Sequence, residues 1–398
     1  MLRPDYLADL PTPLVELYGE VEAEIMQSIV RKIIRFGGLT PSALYQVERL
    51  RDMRALDSEI TKKLAAALRV SEKEVARLLR EAGVEALKSD DAIYRAVGMN
   101  PAPFVRSPAL NDILVEGINK TNGVMKNFTA TTANAAHGAF GNSMDKAYLE
   151  VMSGAYSPNE AIRKSVSTLA KQGIQSVAYP SGRANSIESA VRRALLTGAN
   201  QTVASLRLAR ADEMGCDLVE VTSHPGARTG DGVGNHASWQ GKIYSRSGTH
   251  KKYKELVEST GFGSGEGLCG WNCGHNFHPF FEGFSVPTND FDPSAALGKS
   301  NNQMYEESQR QRELERRVRA SKNECVTLKE AIALTDDADL KDAWQKDFDK
   351  AAHLLKQREA VLSEFVSNTG RTRYREREQV QGFNRSVSSA AVQAAKRA

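Results

Sequence analysis

No stretch of this 398-residue sequence holds the roughly 18 consecutive apolar residues of a membrane-spanning helix, so none of it reads as a membrane span. Cysteine is scarce. Four thiols in a chain of this length cannot form the framework of a small disulfide-stapled scaffold, and synthesis in a reducing cytoplasm is the simpler expectation. Aromatic residues make up only 7% of the chain. A marked excess of either charge is missing as well: 53 basic against 49 acidic residues leave a formal +4, too little to name an anionic partner from the total. The opening MLRPDYLADLPTP has early acidic residues and prolines but no apolar core segment, so it does not read as a secretory signal. What is present, 41% hydrophobic and 26% charged residues, is an ordinary globular composition with length for two or three domains.

The first half reads as helix after helix. Thr12 and Pro13 open TPLVELYGEVEAEIMQSIVRKIIRF, in which Leu14, Leu17, Val21, Ile25, Ile29 and Ile33 recur at helical spacing up to Gly37-Gly38. Thr40-Pro41 restarts the pattern, and Ser71 with Glu74, flanked by Val70 and Val75, has the form of a capping box with its hydrophobic staple. Ser157, Pro158 and Glu160 start a helix that Gly173 ends, with Ile162, Val166 and Leu169 as its apolar stripe. The segment with Ile187, Val191 and Leu195 repeats this grammar and is expected to stop at Gly198.

The composition changes near residue 211. CDLVEVTSH is the best strand candidate, closed by His224-Pro225-Gly226. Glycines then crowd the chain, and HKKYKELVEST is expected to cross this region as a helix. Beyond residue 300 the chain is charged helix. One helix ends at TDDAD; the next places Trp344, Phe348, Ala351, Leu355, Arg358, Leu362 and Phe365 at alternating steps of four and three, and Gly370 ends it. Seven basic and two acidic residues follow from Arg371 onward, in a tail that composition marks as flexible. The expected fold class is mainly α with a small, loop-rich α+β domain. Its expected parts are a helical N-terminal domain over 1–205, a Cys/His-rich α+β domain over 206–295, a charged helical hairpin over 300–370 and a basic tail over 371–398.

Chemistry concentrates in the middle. Five of seven histidines and three of four cysteines lie between residues 211 and 290. Cys269, Cys273, His275 and His278 are candidate zinc ligands within ten residues, but their spacing is unlike that of a finger knuckle. A site would more readily take two of them with His224 or His236 from across the domain. The competing readings are buried thiols and hydrogen-bonded imidazoles packed beside Trp271 and Phe280-Phe281, or a Cys269–Cys273 disulfide. HNFH at 275–278 matches a His-Asn-His nuclease motif in only three letters. GFGSGEG follows a helix rather than a strand, and GARTGDGVG lacks the Gly-Lys-Ser/Thr ending of a phosphate loop. His224, Arg228, His236 and Glu266 could be assembled into an acid–base or ADP-ribosyl-transfer site, yet no nucleophile elbow or spaced carboxylate pair accompanies them. No catalytic residue and no cofactor are expected, a structural zinc being one of the readings left open for the Cys/His corner.

DLVEVTSHPGARTGDGVGNHASWQGKIYSRSG and GLCGWNCGHNFHPFFEG together resemble the signature of the phage minor capsid protein family, minor head protein 2 type, related to Mu F-like head morphogenesis proteins. The matching residues are His224, Gly226 and Arg228 in the first element, His236, Trp239, Gln240 and Gly241 in the second, and Asn272, Cys273, His275 and Pro279 in the third. The likeness covers about residues 10–290, with Gly274 where arginine is expected and TGDGVG lengthening the loop before His236. The resemblance implies a structural head protein of a tailed phage, made in the bacterial host cytoplasm and present in the virion at the portal vertex. Its implied partners are the portal protein and the major capsid or scaffold proteins, with roles in head assembly, DNA packaging or ejection. Two alternatives accompany it. One is an ADP-ribosyltransferase-like enzyme delivered by the phage, as some relatives carry such domains. The other is a nucleic-acid-binding assembly factor that meets packaged DNA through the basic tail.

Overall fold

The protein is described here from a computed structural model over residues 10–35, 42–174, 177–178, 184–290, 292 and 294–397. The glycine pair at 37–38 and the restart at Thr40-Pro41 lie outside these. The fold is mainly α with a small α+β part, as the sequence leads one to expect. Helices α1 (Thr12–Arg35), α2 (Ser42–Ala96), α3 (Pro108–Met152) and α4 (Pro158–Gln172) precede a short β1–β2 pair (Val177–Ala178 and Ala184–Asn185) and α5 (Ile187–Glu213). Strands β3 (Leu218–Val221), β4 (Ile243–Ser245) and β5 (Phe277–Pro279) follow with the short helices α6 (His236–Trp239) and α7 (Leu256–Thr260), then α8 (Asn301–Leu334), α9 (Ala338–Thr369) and α10 (Arg385–Arg397).

Two compact units form, each from three separated segments: Met1–Leu14, Val70–Met125 and Val191–Gln309 make one; Val15–Arg69, Lys126–Ala190 and Arg310–Ala398 make the other. In the first unit, β3 is the centre of an antiparallel sheet of order β4-β3-β5. Val219, Val221, Trp239, Tyr244, Leu256, Leu268, Cys269 and Phe277 form its core together with Ala204 of α5. Helix α5 meets α3 through two reciprocal pairs. A β-carbon on Gly198 would lie 2.4 Å from Thr121 Oγ1, and one on Gly117 2.2 Å from Thr202 Oγ1. Each threonine hydroxyl donates to the carbonyl four residues back on its own helix, Thr121 to Gly117 at 2.9 Å and Thr202 to Gly198 at 2.7 Å. Gly198 therefore does not end the helix. It lets two backbones approach, and α5 runs on to Glu213.

Three other local readings give way to context. Ser71 lies buried inside the continuous α2, and Glu74 pairs with Arg77 instead of capping. Burial of the Leu64, Val75 and Leu79 stripe carries the helix through a start signal. The helix expected over HKKYKELVEST is shorter: Glu255 caps it with its own carboxylate and Gly261 ends it in the left-handed region. Trp271, expected in the packed corner, is 62% exposed, while Trp239 is the tryptophan buried in the core of this unit.

In the second unit the cap signals hold. Ser157 Oγ accepts from Glu160 N–H, and Gly173 follows α4. Asp337 caps α9, which Gly370 ends at positive φ. Trp344, Phe348, Ala351, Leu355 and Leu362 are buried, and Arg358 in that seam is satisfied by donating to Arg317 O and Ser321 Oγ of α8. The segment after Gly370 differs from the flexible tail that composition suggests. Arg373 makes a two-pronged pair with buried Glu378 at 2.6 Å. Lys322 donates to Glu378 O and Gln311 to Thr372 O. Val387, Ala391 and Ala394 of α10 are buried. A short apolar stripe at helical spacing, amid basic residues, is what fastens this end.

Candidate functional site

The three signature elements, scattered over 56 residues of sequence from His224 to Pro279, are brought around one sheet in the first unit. The backbone makes this possible. Val219 pairs with Tyr244 on one side and with Pro279 on the other, so β3 holds the segment after α6 along one edge and the segment after the cysteine loop along the other. The cysteine loop is tied by Leu268 N–H to Thr260 O at 3.0 Å and Trp271 N–H to Gly265 O at 2.6 Å. Cys269 and Asn272 both take positive φ, 59° and 55°, a conformation that asparagine tolerates and cysteine seldom adopts.

Helix α5 grips this loop with residues on one face. Asn200 donates to Cys273 O at 3.2 Å and His275 O at 3.0 Å. Seven residues on, Arg207 donates to Asn276 Oδ1 at 2.9 Å and Phe277 O at 2.6 Å, and pairs with buried Asp90 of α2 at 3.0 Å. Burial pushes the Asp90 carboxyl up, and the Arg207 guanidinium opposes that.

At the centre stand His236, Cys273 and His275, whose nearest donor atoms all lie within 4.8 Å of one another. His275 is fully buried and His236 nearly so. Cys273 Sγ is 3.6 Å from His275 Nδ1. His275 Nε2 lies 2.9 Å from Gln240 Oε1, and His236 Nε2 lies 2.7 Å from Glu266 O. Both partners are oxygen acceptors, which assigns the proton to Nε2 in each ring and leaves Nδ1 as the lone-pair nitrogen. His224 stacks on His275 with ring centroids 4.2 Å apart, and Trp239 meets His275 edge-on at 4.9 Å. Burial, reinforced by the neighbouring His224, His236 and Arg228, holds the His275 imidazole well below its ordinary range. Burial lowers His236 in the same way and raises the Cys269 and Cys273 thiols. The group is thus two neutral imidazoles and protonated thiols, and all four cysteines are free of disulfides.

The other candidates have separate places. Cys269 is buried in the apolar core, its Sγ 3.5 Å from His275 O. His278 leaves the group altogether: it is the cross-strand partner of Glu220 and meets its Oε2 at 3.1 Å. Arg228 donates to Trp271 O at 2.8 Å. Glu266 meets His236 through its peptide carbonyl, while its side chain is exposed. Gln240 also accepts from His224 N–H at 3.1 Å, so one amide oxygen links two signature elements. Gly241 has φ of 71°, and a β-carbon there would lie 2.3 Å from Asn289 O; no side chain fits. Trp239 donates its indole N–H to Val233 O, and Tyr244 donates to Trp239 O.

Sequence reasoning missed four residues on which the site depends: Glu220, Asn289, Asn200 and Arg207. Glu220 carried a readable signal, an acidic residue inside a strand that is otherwise apolar. Asn289 and the two α5 residues carried none, because their partners are distant in sequence.

The model of a family described as phage minor capsid protein 2 matches residues 2–367, beyond the stretch on which the resemblance rested. A structural protein of Lactococcus phage LL-H is 28% identical over 207 residues, covering 50% of this chain and 53% of that protein. The chain thus spans about half the length of this curated relative. No solved structure matches.

Proposed function

The chain belongs to the phage minor capsid protein 2 family and is a structural phage protein, and from that premise we propose that it sits at the portal vertex of a tailed phage, contacts the portal protein and assists head assembly. One observation carries the structural role: the signature side chains are turned on one another. Gln240 bridges His224 and His275, His236 holds Glu266 O, Trp239 holds Val233 O and Arg228 holds Trp271 O. Groups engaged in this way build a rigid unit, whereas a catalytic constellation turns its groups toward a substrate in a cleft. The reading accordingly assigns no bond-making step to Arg228 or Glu266.

Family membership is what supports the vertex position. A minor component is one present in few copies, and the single portal vertex is the place in a head that calls for few copies. The test is co-expression with the portal protein of the same phage, followed by affinity capture of the portal. The chain is expected to be retained in a defined stoichiometry that survives about 0.5 M salt. Its recovery with the major capsid protein, and not with the portal, would overturn the proposal.

A further inference from the structure

We infer that His236, Cys273 and His275 are the protein ligands of a structural zinc ion that locks the cysteine loop to α6. The donor set is the first ground. Two imidazoles and one thiolate suit zinc, whose usual ligands are histidine nitrogen and cysteine sulfur. Geometry is the second. Zinc bonds of the ordinary lengths at a tetrahedral angle place sulfur and nitrogen about 3.5 Å apart, and Cys273 Sγ stands 3.6 Å from His275 Nδ1. The remaining donor, a ring nitrogen of His236, lies within 4.8 Å of both, so a closure of about 1 Å brings the three protein donors to bonding distance, and a fourth, non-protein ligand completes the tetrahedron.

The third ground is the outer ring of hydrogen bonds. A metal-bound histidine ordinarily donates its other ring N–H to a carbonyl or carboxylate, which fixes the tautomer. His236 and His275 both do this, toward Glu266 O and Gln240 Oε1. Gln240 is itself held by His224 N–H, and the loop that carries Cys273 and His275 is held by Asn200. The ligands are thereby positioned from three elements of the unit. A packed but metal-free corner would not require two buried imidazoles to share this orientation. Cys269 and His278 are not ligands, since the first faces the apolar core and the second is bound to Glu220.

This inference does not depend on where the chain sits in the particle. It is tested on the full-length protein purified under reducing, chelator-free conditions. Elemental analysis is expected to find about one zinc per chain. Cys273→Ser and His275→Ala should lose it, and Cys269→Ser should keep it. Because a ligand variant can fail to fold, cobalt(II) exchange into the wild type is the second measurement. A sulfur-to-cobalt charge-transfer band together with the intense visible bands of a tetrahedral site is the expected spectrum. A folded wild type that holds no zinc and takes up no cobalt overturns the inference. So does metal that persists in Cys273→Ser and disappears in Cys269→Ser.

Discussion

At Glu220 a carboxylate stands inside a strand whose four residues are all buried. It accepts from Thr288 N–H at 2.7 Å, Asn289 N–H at 2.6 Å, Asn289 Nδ2 at 3.1 Å and His278 Nε2 at 3.1 Å. Burial by itself would raise its pKa, but these donors outweigh burial and hold the group below the ordinary carboxylate range. A depressed folded-state pKa means stability that is fully present above the ordinary glutamate value, about 4.3, and that is lost as pH falls through the lower folded value. Glu220→Gln should therefore cost about 1–3 kcal/mol at neutral pH. In denaturant unfolding, the gap between wild type and variant should be constant down to about pH 5 and shrink in more acid solution. A gap that widens with acid would contradict this account. The same residue shows what the sequence could convey. The acidic position in an apolar strand was visible, but its partners at 288–289 lie 68 and 69 residues away, and no local pattern announces them. His278 was misgrouped with the candidate ligands for the same reason: spacing put it beside His275, while strand pairing turned it to Glu220.

Among the elements, helix ends were legible wherever a cap was exposed. Ser157, Gly173 and Gly370 act as their residue types suggest because nothing overrides the local hydrogen bonds. Signals failed where the segment is buried. Ser71 carries a start signal and Gly198 a stop signal, yet both lie inside continuous helices, one in a buried stripe and the other at a helix crossing. The Gly198 case predicts a change of sign. Alanine normally favours a helix over glycine by about 1 kcal/mol, but a β-carbon 2.4 Å from Thr121 Oγ1 costs about 1–3 kcal/mol of overpacking. Gly198→Ala should destabilise the protein in chemical denaturation. In a Thr121→Ala background, where the obstructing hydroxyl and methyl are gone, the same change should be neutral or stabilising. Equal destabilisation in both backgrounds would show that the α3–α5 crossing is not set by these residues. At the other end of the chain, basic residues alone suggested a loose tail. The small residues Ala391 and Ala394, which bury easily and look unremarkable in sequence, explain why α10 packs.

For the molecule as a whole, membership of the family was legible in three short elements because their residues meet in space around one sheet. The composition of the two units was not legible. Each draws on three separated segments, and such long-range association leaves no trace in local periodicity. Trp271 illustrates the limit inside the signature itself: a tryptophan between the two loop cysteines reads as core, but the loop turns it outward and Trp239 fills the core instead. We propose that this chain, a structural phage protein, serves as a rigid part at the portal vertex. An asymmetric cryo-electron-microscopy reconstruction of the intact phage head tests it most directly. The account predicts the chain as ordered density beside the portal at one vertex, with its Cys/His corner intact. Density spread over the icosahedral shell, or heads that contain none of this chain, would contradict it.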